Sequence, residues 1–235
     1  MNLPTIFAAL TGLDIASLIF LIGGWLVVGY LVENPPHGRP SVSLLMRHFR
    51  REWMRQFVAR EVRIFDASIV DSLRQGTSFF ASACLIAIGG GIALAGNPEQ
   101  LQGLASGLAH ISVPIAIWQA KILLVILFLT NALLKFVWSN RLFGYCAILM
   151  AAVPNDPTDP SALPRAEQAA EINISAARNF NQGLSAVYFA LGSMGWFLGA
   201  GALFVSAAVT IYVISRREFA SKSRKVLLRH DFANG

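Results

Sequence analysis

Charge is scarce in this sequence. Only 14% of its 235 residues are charged and 55% are hydrophobic, whereas soluble domains carry about a quarter charged residues. That excludes an ordinary soluble globule. Cysteine is nearly absent: Cys84 and Cys146 show no metal or redox spacing and lie in apolar surroundings, so they read as buried thiols rather than a disulfide or zinc framework. The four histidines, His37, His48, His110 and His230, are scattered. There is no HExxH, no phosphate-binding glycine loop with its lysine, and no nucleophile beside a histidine. The expectation is therefore a protein that is not an enzyme, with no catalytic, cofactor or metal residues and no cofactor. The N-terminus lacks a basic region and a small-residue cleavage site, so no removed signal peptide is expected.

Long uncharged apolar runs are abundant. Several reach the roughly 20 residues that cross a bilayer as a helix. The expected fold class is all-α: a polytopic helical membrane protein, one domain over 1–235, with four to five transmembrane helices and a long amphipathic helix on the cytoplasmic side. Expected spans are about 13–32, 77–95, 118–138, 179–197 and 200–216. Trp118 and Trp138 are twenty residues apart, about 30 Å along a helix, which sets an aromatic at each interface. Lys121 and Lys135 then snorkel outward from opposite ends. Residues 99–119 read as a loop or short helix at the outer surface, with His110 more structural than functional in expectation.

Proline and glycine are missing from 41–75, and Pro40 and Gly76 bracket the stretch. Phe49, Trp53, Phe57, Val58, Val62, Phe65, Ile69 and Leu73 recur at helical spacing, which predicts one amphipathic helix. Arg47, Arg51 and Arg55 are spaced by four, and the pairs Glu52 and Arg55, Arg63 and Asp66, and Asp71 and Arg74 are three apart, close enough to pair within the helix. Two readings stand. Arg47, Arg51, Arg55 and Arg63 contact anionic lipid headgroups or a partner, or the helix packs on the inner ends of the others with its charges solvated. Nucleic acid is not an expected partner: acids offset the arginines and no binding fold accompanies them.

Residues 183–214 are uncharged over 32 positions, about 48 Å as one helix and too long for one crossing. They form either one tilted helix or a hairpin turning near Leu198–Gly201. Residues 33–75 hold eight arginines, and the tail after Ile214 is also basic. Lys and Arg excess marks cytoplasmic segments, and five spans put both there, so five are favoured over four. Gly195 and Gly199 form a GxxxG pair that permits helix contact or marks the turn. The sequon Asn173-Ile174-Ser175 falls on the cytoplasmic side and is formal only.

Polar groups inside spans are costly and are functional candidates. Here they are Asn131, Lys135 and Ser139, spaced by four on one stripe, with Arg141 beyond them. They line a polar path, or they snorkel and bond between helices.

The segments WMRQFVAREVRIFDASIVDSL, TSFFAS (77–82), KFVWSNRLFGYCAIL (135–149), NFNQGLSAVYFAL (179–191) and RREF (216–219), in this order, resemble the bacterial membrane family called domain of unknown function 599, over roughly residues 20–220. The resemblance implies a polytopic bacterial inner-membrane protein without assigned activity, and it transfers no ligand residues. The matched segments suggest one cytoplasmic-side assembly of Arg55, Arg63, Asp66, Lys135, Trp138, Arg141 and Asn181. The functional expectation is a homo-oligomeric channel or transporter-like protein, its basic mouth favouring anions. The alternative is a non-catalytic accessory or scaffold subunit of a larger membrane complex. Expected partners are the lipid bilayer, anionic headgroups, and further copies of the chain or another membrane subunit.

Overall fold

A computed structural model describes residues 10–97, 100, 103 and 114–231. Of the described residues, 85% are helical. The helices are α1 (Gly12–Glu33), α2 (Val42–Val58), α3 (Ile64–Ala95), α4 (Ile115–Ala151), α5 (Ala162–Ser193), a 3-10 turn (Met194–Leu198), α6 (Ala200–Phe219) and α7 (Lys222–Asp231). Among the described residues, four helices are long and apolar enough to cross a membrane: α1, α3, α4 and the helix beginning at Ala200. The all-α membrane class therefore holds. The outer segment with His110 lies largely outside the described residues.

The chain folds into two compact units. The described residues within 1–31, 83–132 and 184–216 form an apolar unit, and those within 32–82, 133–183 and 217–235 a charged unit. Helices α3, α4 and α5 each contribute to both.

In the apolar unit, packing relies on aromatic pairs and close backbone approach, as expected where lipid removes the hydrophobic drive between helices. Phe20 stacks on Phe204 at 4.5 Å, and Phe128 meets Trp25 edge-on at 5.3 Å and Phe189 at 6.2 Å. Ser17 Oγ donates to the Ala200 carbonyl at 3.0 Å. The hairpin expected near residue 199 is present. Gly199 has φ +118°, a conformation that side chains rarely adopt. Beside it, α6 packs on the end of α5: Ser206 Oγ donates to the Gly192 carbonyl at 2.6 Å. A methyl on Gly195 would overlap Ser206 Oγ and lie 2.8 Å from the Ala202 carbonyl oxygen. The GxxxG pair thus divides its work, Gly195 as contact and Gly199 as turn. The first limb of the hairpin, expected to start at 179, has no helix boundary there. It is the end of α5, a continuous helix from Ala162 that is not among the four membrane-length apolar helices.

Lys121 also departs from expectation. It is 7% exposed and does not snorkel. Its ammonium lies 4.9 Å from the Trp118 ring and 5.7 Å from the Trp196 ring. Trp196 Nε1 donates to Asp14 at 2.8 Å. A cation over aromatic faces retains attraction without water.

The charged unit has its own core of Met54, Phe57, Val70, Phe143, Cys146 and Met150 with the alanines of α5, Ala162, Ala166, Ala169, Ala170 and Ala176. Small residues on α5 let larger ones from α2 and α4 fill the space. Phe136 is fully buried between Phe80 and Phe180, and a methyl on Gly183 would stand 2.7 Å from its ring. Cys84 and Cys146 are both free and buried.

Candidate functional site in the charged unit

The predicted helix over 41–75 is interrupted. Helix α2 ends at Val58, and α3 starts at Ile64 and runs without a break into the second apolar stretch. Residues 59–63 hold neither proline nor glycine, so side chains make the break. Arg63 Nη2 donates to the Val58 carbonyl at 3.4 Å and to the Pro154 carbonyl at 2.7 Å; Nη1 donates to the Val153 carbonyl at 2.8 Å. These are carbonyls at or beyond the ends of α2 and α4, where helices leave acceptors unpaired. The guanidinium lies 4.6 Å over the Phe57 ring. Asp66, fully buried in the first turn of α3, accepts from Trp53 Nε1 at 2.6 Å and from Arg60. A negative charge is favoured at a helix start. The Arg63–Asp66 pair expected within one helix is replaced by these contacts across the break.

At its start, α2 is capped by Ser41, whose Oγ accepts from the Leu44 amide at 3.1 Å and donates to the Val32 carbonyl at 2.8 Å. The spaced arginines then meet acids from elsewhere in the chain. Arg47 pairs with Glu33, and Arg178 reaches the same carboxylate at 2.9 Å. Arg51 pairs with Glu171 at 2.6 Å and Arg55 with Glu167 at 3.8 Å. Two four-residue spacings, one basic on α2 and one acidic on α5, form a ladder between helices. The Glu171 hydrogen bond holds the Arg51 guanidinium above its ordinary pKa. Glu52, expected to pair with Arg55, accepts from Gln56 instead. The ladder borders a cleft of about 750 Å³ that Leu149, Pro164 and Ile172 also line.

Arg50 points the other way, into the fold. It donates to Asn173 Oδ1, and Asn173 Nδ2 reaches Cys146 Sγ at 3.5 Å. Burial pushes the Arg50 guanidinium below its ordinary pKa.

The polar stripe of α4 shares no common set of contacts. Ser139 is buried and donates to the Ala176 carbonyl at 2.7 Å, a bond that joins α4 to α5. Asn131 belongs to the apolar unit and Lys135 to the charged one. Both are half-buried, and neither has a hydrogen-bond partner among the described residues. Arg141 is exposed and bonds Tyr145 one turn on. Nor do the residues expected as one assembly form one. Arg55, Arg63, Asp66, Lys135, Trp138, Arg141 and Asn181 share a unit but take part in separate contacts: Trp138 is half-exposed, and Asn181 donates to Ser43 at 3.2 Å.

Several residues that carry the unit escape sequence reasoning, among them Arg50, Arg60, Glu167, Glu171 and Asn140. Asn140 Nδ2 reaches Thr77 Oγ1 at 3.0 Å and Ser78 Oγ at 2.8 Å, tying α4 to the polar face of α3. The four-residue spacing of Glu167 and Glu171, matching that of Arg51 and Arg55, is the signal that could have found the ladder.

The family model described as "Protein of unknown function, DUF599" matches residues 16–223. The chain belongs to this family. No curated protein and no solved structure matches it. The match covers α1 through the start of α7, and so takes in both the Arg51–Glu171 ladder and the Arg63 junction of this DUF599 member.

Proposed function

We propose that this DUF599 protein is a non-catalytic accessory or scaffold subunit of the bacterial cytoplasmic membrane, with its charged unit on the cytoplasmic side. The excess of Arg and Lys in residues 33–75 and in the tail supports that side. So does the joining of these two segments in one unit, where Arg224 Nε donates to the Pro40 carbonyl at 2.8 Å and the Ser43 amide to Glu218 at 3.0 Å. The observation that carries the reading is the use made of the arginines. Arg47, Arg51, Arg55 and Arg63 are all engaged inside the unit rather than left for headgroups, so α2 braces a preformed cleft. The cleft combines the apolar side chains of Leu149, Pro164 and Ile172 with the charged groups of the ladder, a surface suited to a segment of a neighbouring subunit.

The test is gentle extraction from the native membrane, with a photo-crosslinker at Gln168, which lines the cleft. A foreign subunit captured there supports the reading. A particle that is a multiple of 25.5 kDa, with solute flux in liposomes, overturns it in favour of a homo-oligomeric channel. One observation favours that second reading: Asn131 and Lys135 hold no hydrogen-bond partner among the described residues.

A further inference from the structure

The arginines of α2 find their partners inside the charged unit. A different set of cations there has none. Arg39, in the turn after α1, and Lys222 and Lys225, on α7, are exposed and make no side-chain hydrogen bond or ion pair among the described residues. The sequence gives the reason: no Asp or Glu occurs in 34–51 or in 219–230. The acids that precede these two segments are engaged elsewhere. Glu33 is held by Arg47 and Arg178, and Glu218 accepts from the Ser43 backbone amide at 3.0 Å.

The free cations sit on an ordered frame. Ser221 opens α7, its Oγ accepting from the Arg224 amide at 3.2 Å, which is how a helix start is capped. Helix α7 packs on α2, and Arg224 Nε donates to the Pro40 carbonyl at 2.8 Å. That bond sets α7 beside the turn that carries Arg39. By helical spacing Lys222, Lys225 and Val226 share one face of α7, and all three are exposed. Arg224, Leu227 and Leu228 share the opposite face and are partly covered. An outward face that joins lysines to an exposed valine, on a helix held by its other side, suits the boundary between water and lipid.

The place of these segments in the chain selects the partner. Helix α1, of membrane-spanning length, ends at Glu33, shortly before Arg39. The apolar run of α6 ends at Ile214, and α7 follows after a break at 220–221. Cations just beyond apolar spans stand at headgroup level, where anionic lipid attracts them. Three such cations with no acid among them complement that surface in charge.

We propose that Arg39, Lys222 and Lys225 dock α7 on the anionic phospholipid headgroups of the bilayer that the apolar helices cross. The headgroup contact expected of Arg47, Arg51, Arg55 and Arg63 thus passes to other residues. The inference goes beyond the scaffold reading: it concerns the lipid-facing side of α7 and holds whether or not a neighbour fills the cleft.

The experiment uses the full chain in lipid nanodiscs. Ser223→Cys, at an exposed position of α7, carries a fluorophore; Cys84 and Cys146 are buried, and the parent protein serves as the labelling blank. The discs hold phosphatidylcholine with a rising share of phosphatidylglycerol and a trace of lipid with a quencher on its headgroup. Quenching is expected to grow with the phosphatidylglycerol share. Arg39→Gln, Lys222→Gln and Lys225→Gln together are expected to raise the share needed for half-maximal quenching several-fold, since each cation near an anionic surface contributes about fivefold. Raising the ionic strength from about 0.1 M to about 1 M, which shortens the screening length from about 10 Å to about 3 Å, is expected to act in the same direction. The three side chains bond nothing within the chain, so the triple variant keeps its fold, which thermal unfolding checks. Arg51→Gln, in the ladder, is expected to leave the quenching curve unchanged. Equal quenching in discs with and without phosphatidylglycerol overturns the proposal, as does an unchanged curve in the folded triple variant. A label shielded from the quencher in every lipid, because a second copy or a foreign subunit covers α7, overturns it as well.

Discussion

Arg63 donates to the Val153 carbonyl at 2.8 Å, and with that bond the guanidinium that closes α2 also closes α4. The neighbouring bond to Pro154, at 2.7 Å, shares the same side chain. One residue thereby fixes where two helices stop and how the next one, α3, departs. Arg63→Ala is expected to destabilise the folded protein by about 2–3 kcal/mol, since it leaves several carbonyls without a charged donor. Arg63→Lys recovers part of this at most, because an ammonium cannot span the same set. Thermal unfolding in detergent measures both.

Asp66→Ala tests the other side of the break. The carboxylate is fully buried, but its partner Arg60 is 39% exposed and can rehydrate when left alone. The expected loss is therefore about 1–3 kcal/mol rather than the larger cost of stranding a buried charge. Trp53→Phe, which removes only the donor, is expected to cost less than Asp66→Ala in the same assay.

The hairpin glycines separate by mechanism. Gly199→Ala forces a side chain into a backbone region that glycine alone adopts readily, at about 1–3 kcal/mol. Gly195→Ala instead drives a methyl against Ser206 and Ala202, and overpacking of this kind also costs about 1–3 kcal/mol. Ser206→Ala should relieve part of the cost of the second variant, since the Ala202 carbonyl contact remains, and leave the first unchanged. A double-mutant comparison by thermal unfolding reads the difference.

The loop between α4 and α5 carries a pH dependence. Asp156 accepts from the side chain and amide of Thr158, and Asp159 from those of Ser161. These bonds hold both carboxyls below the ordinary aspartate value of 3.8. A depressed folded-state pKa contributes stability above the unfolded value, which is lost as pH falls through the folded one. Amide protection at Thr158 and Ser161 is therefore expected to be constant from neutral pH down to the ordinary carboxylate range and to fade on further acidification. Hydrogen exchange across that range checks it, and Asp156→Asn should remove the transition at Thr158.

The Arg51–Glu171 rung is half-exposed at both ends, with relative exposures of 48% and 57%. Solvent screens such pairs, so a double-mutant cycle with Arg51→Ala and Glu171→Ala should return about 0.2–1 kcal/mol of coupling. A much larger value would mean that the ladder is buried against a neighbour in the intact membrane.

The long spans were legible because uncharged length is a property of the chain alone. The hairpin was legible for a related reason: 32 uncharged residues exceed one crossing, and Gly199 supplies the turn. The break at 59–63 was not legible. Its residues are ordinary helix formers, and what stops the helix is Arg63 bonding to Val153 and Pro154, far along the chain. Tertiary contacts override weak local preference in such cases. The charge pairs failed likewise. Spacing of three on one helix is visible in the sequence, while Glu167 and Glu171 come within reach only once α5 folds against α2. Lys121 read as a snorkelling residue because Trp196, which helps to cover it, arrives from the hairpin. Ser139 was found as a polar residue within a span, but its role, a bond to the backbone of α5, depended on a partner with no side-chain signature.

Glu33, the last residue of α1, is held by Arg47 and by Arg178. The two arginines enter the growing chain at very different times. Arg47 emerges shortly after the first apolar helix and can neutralise Glu33 almost at once; Arg178 is synthesised only after α3 and α4. The end of α1 is therefore secured twice, first by a local contact available during insertion and later by one that requires most of the protein to have been made. A chain truncated before α5 would therefore hold Glu33 through Arg47 alone.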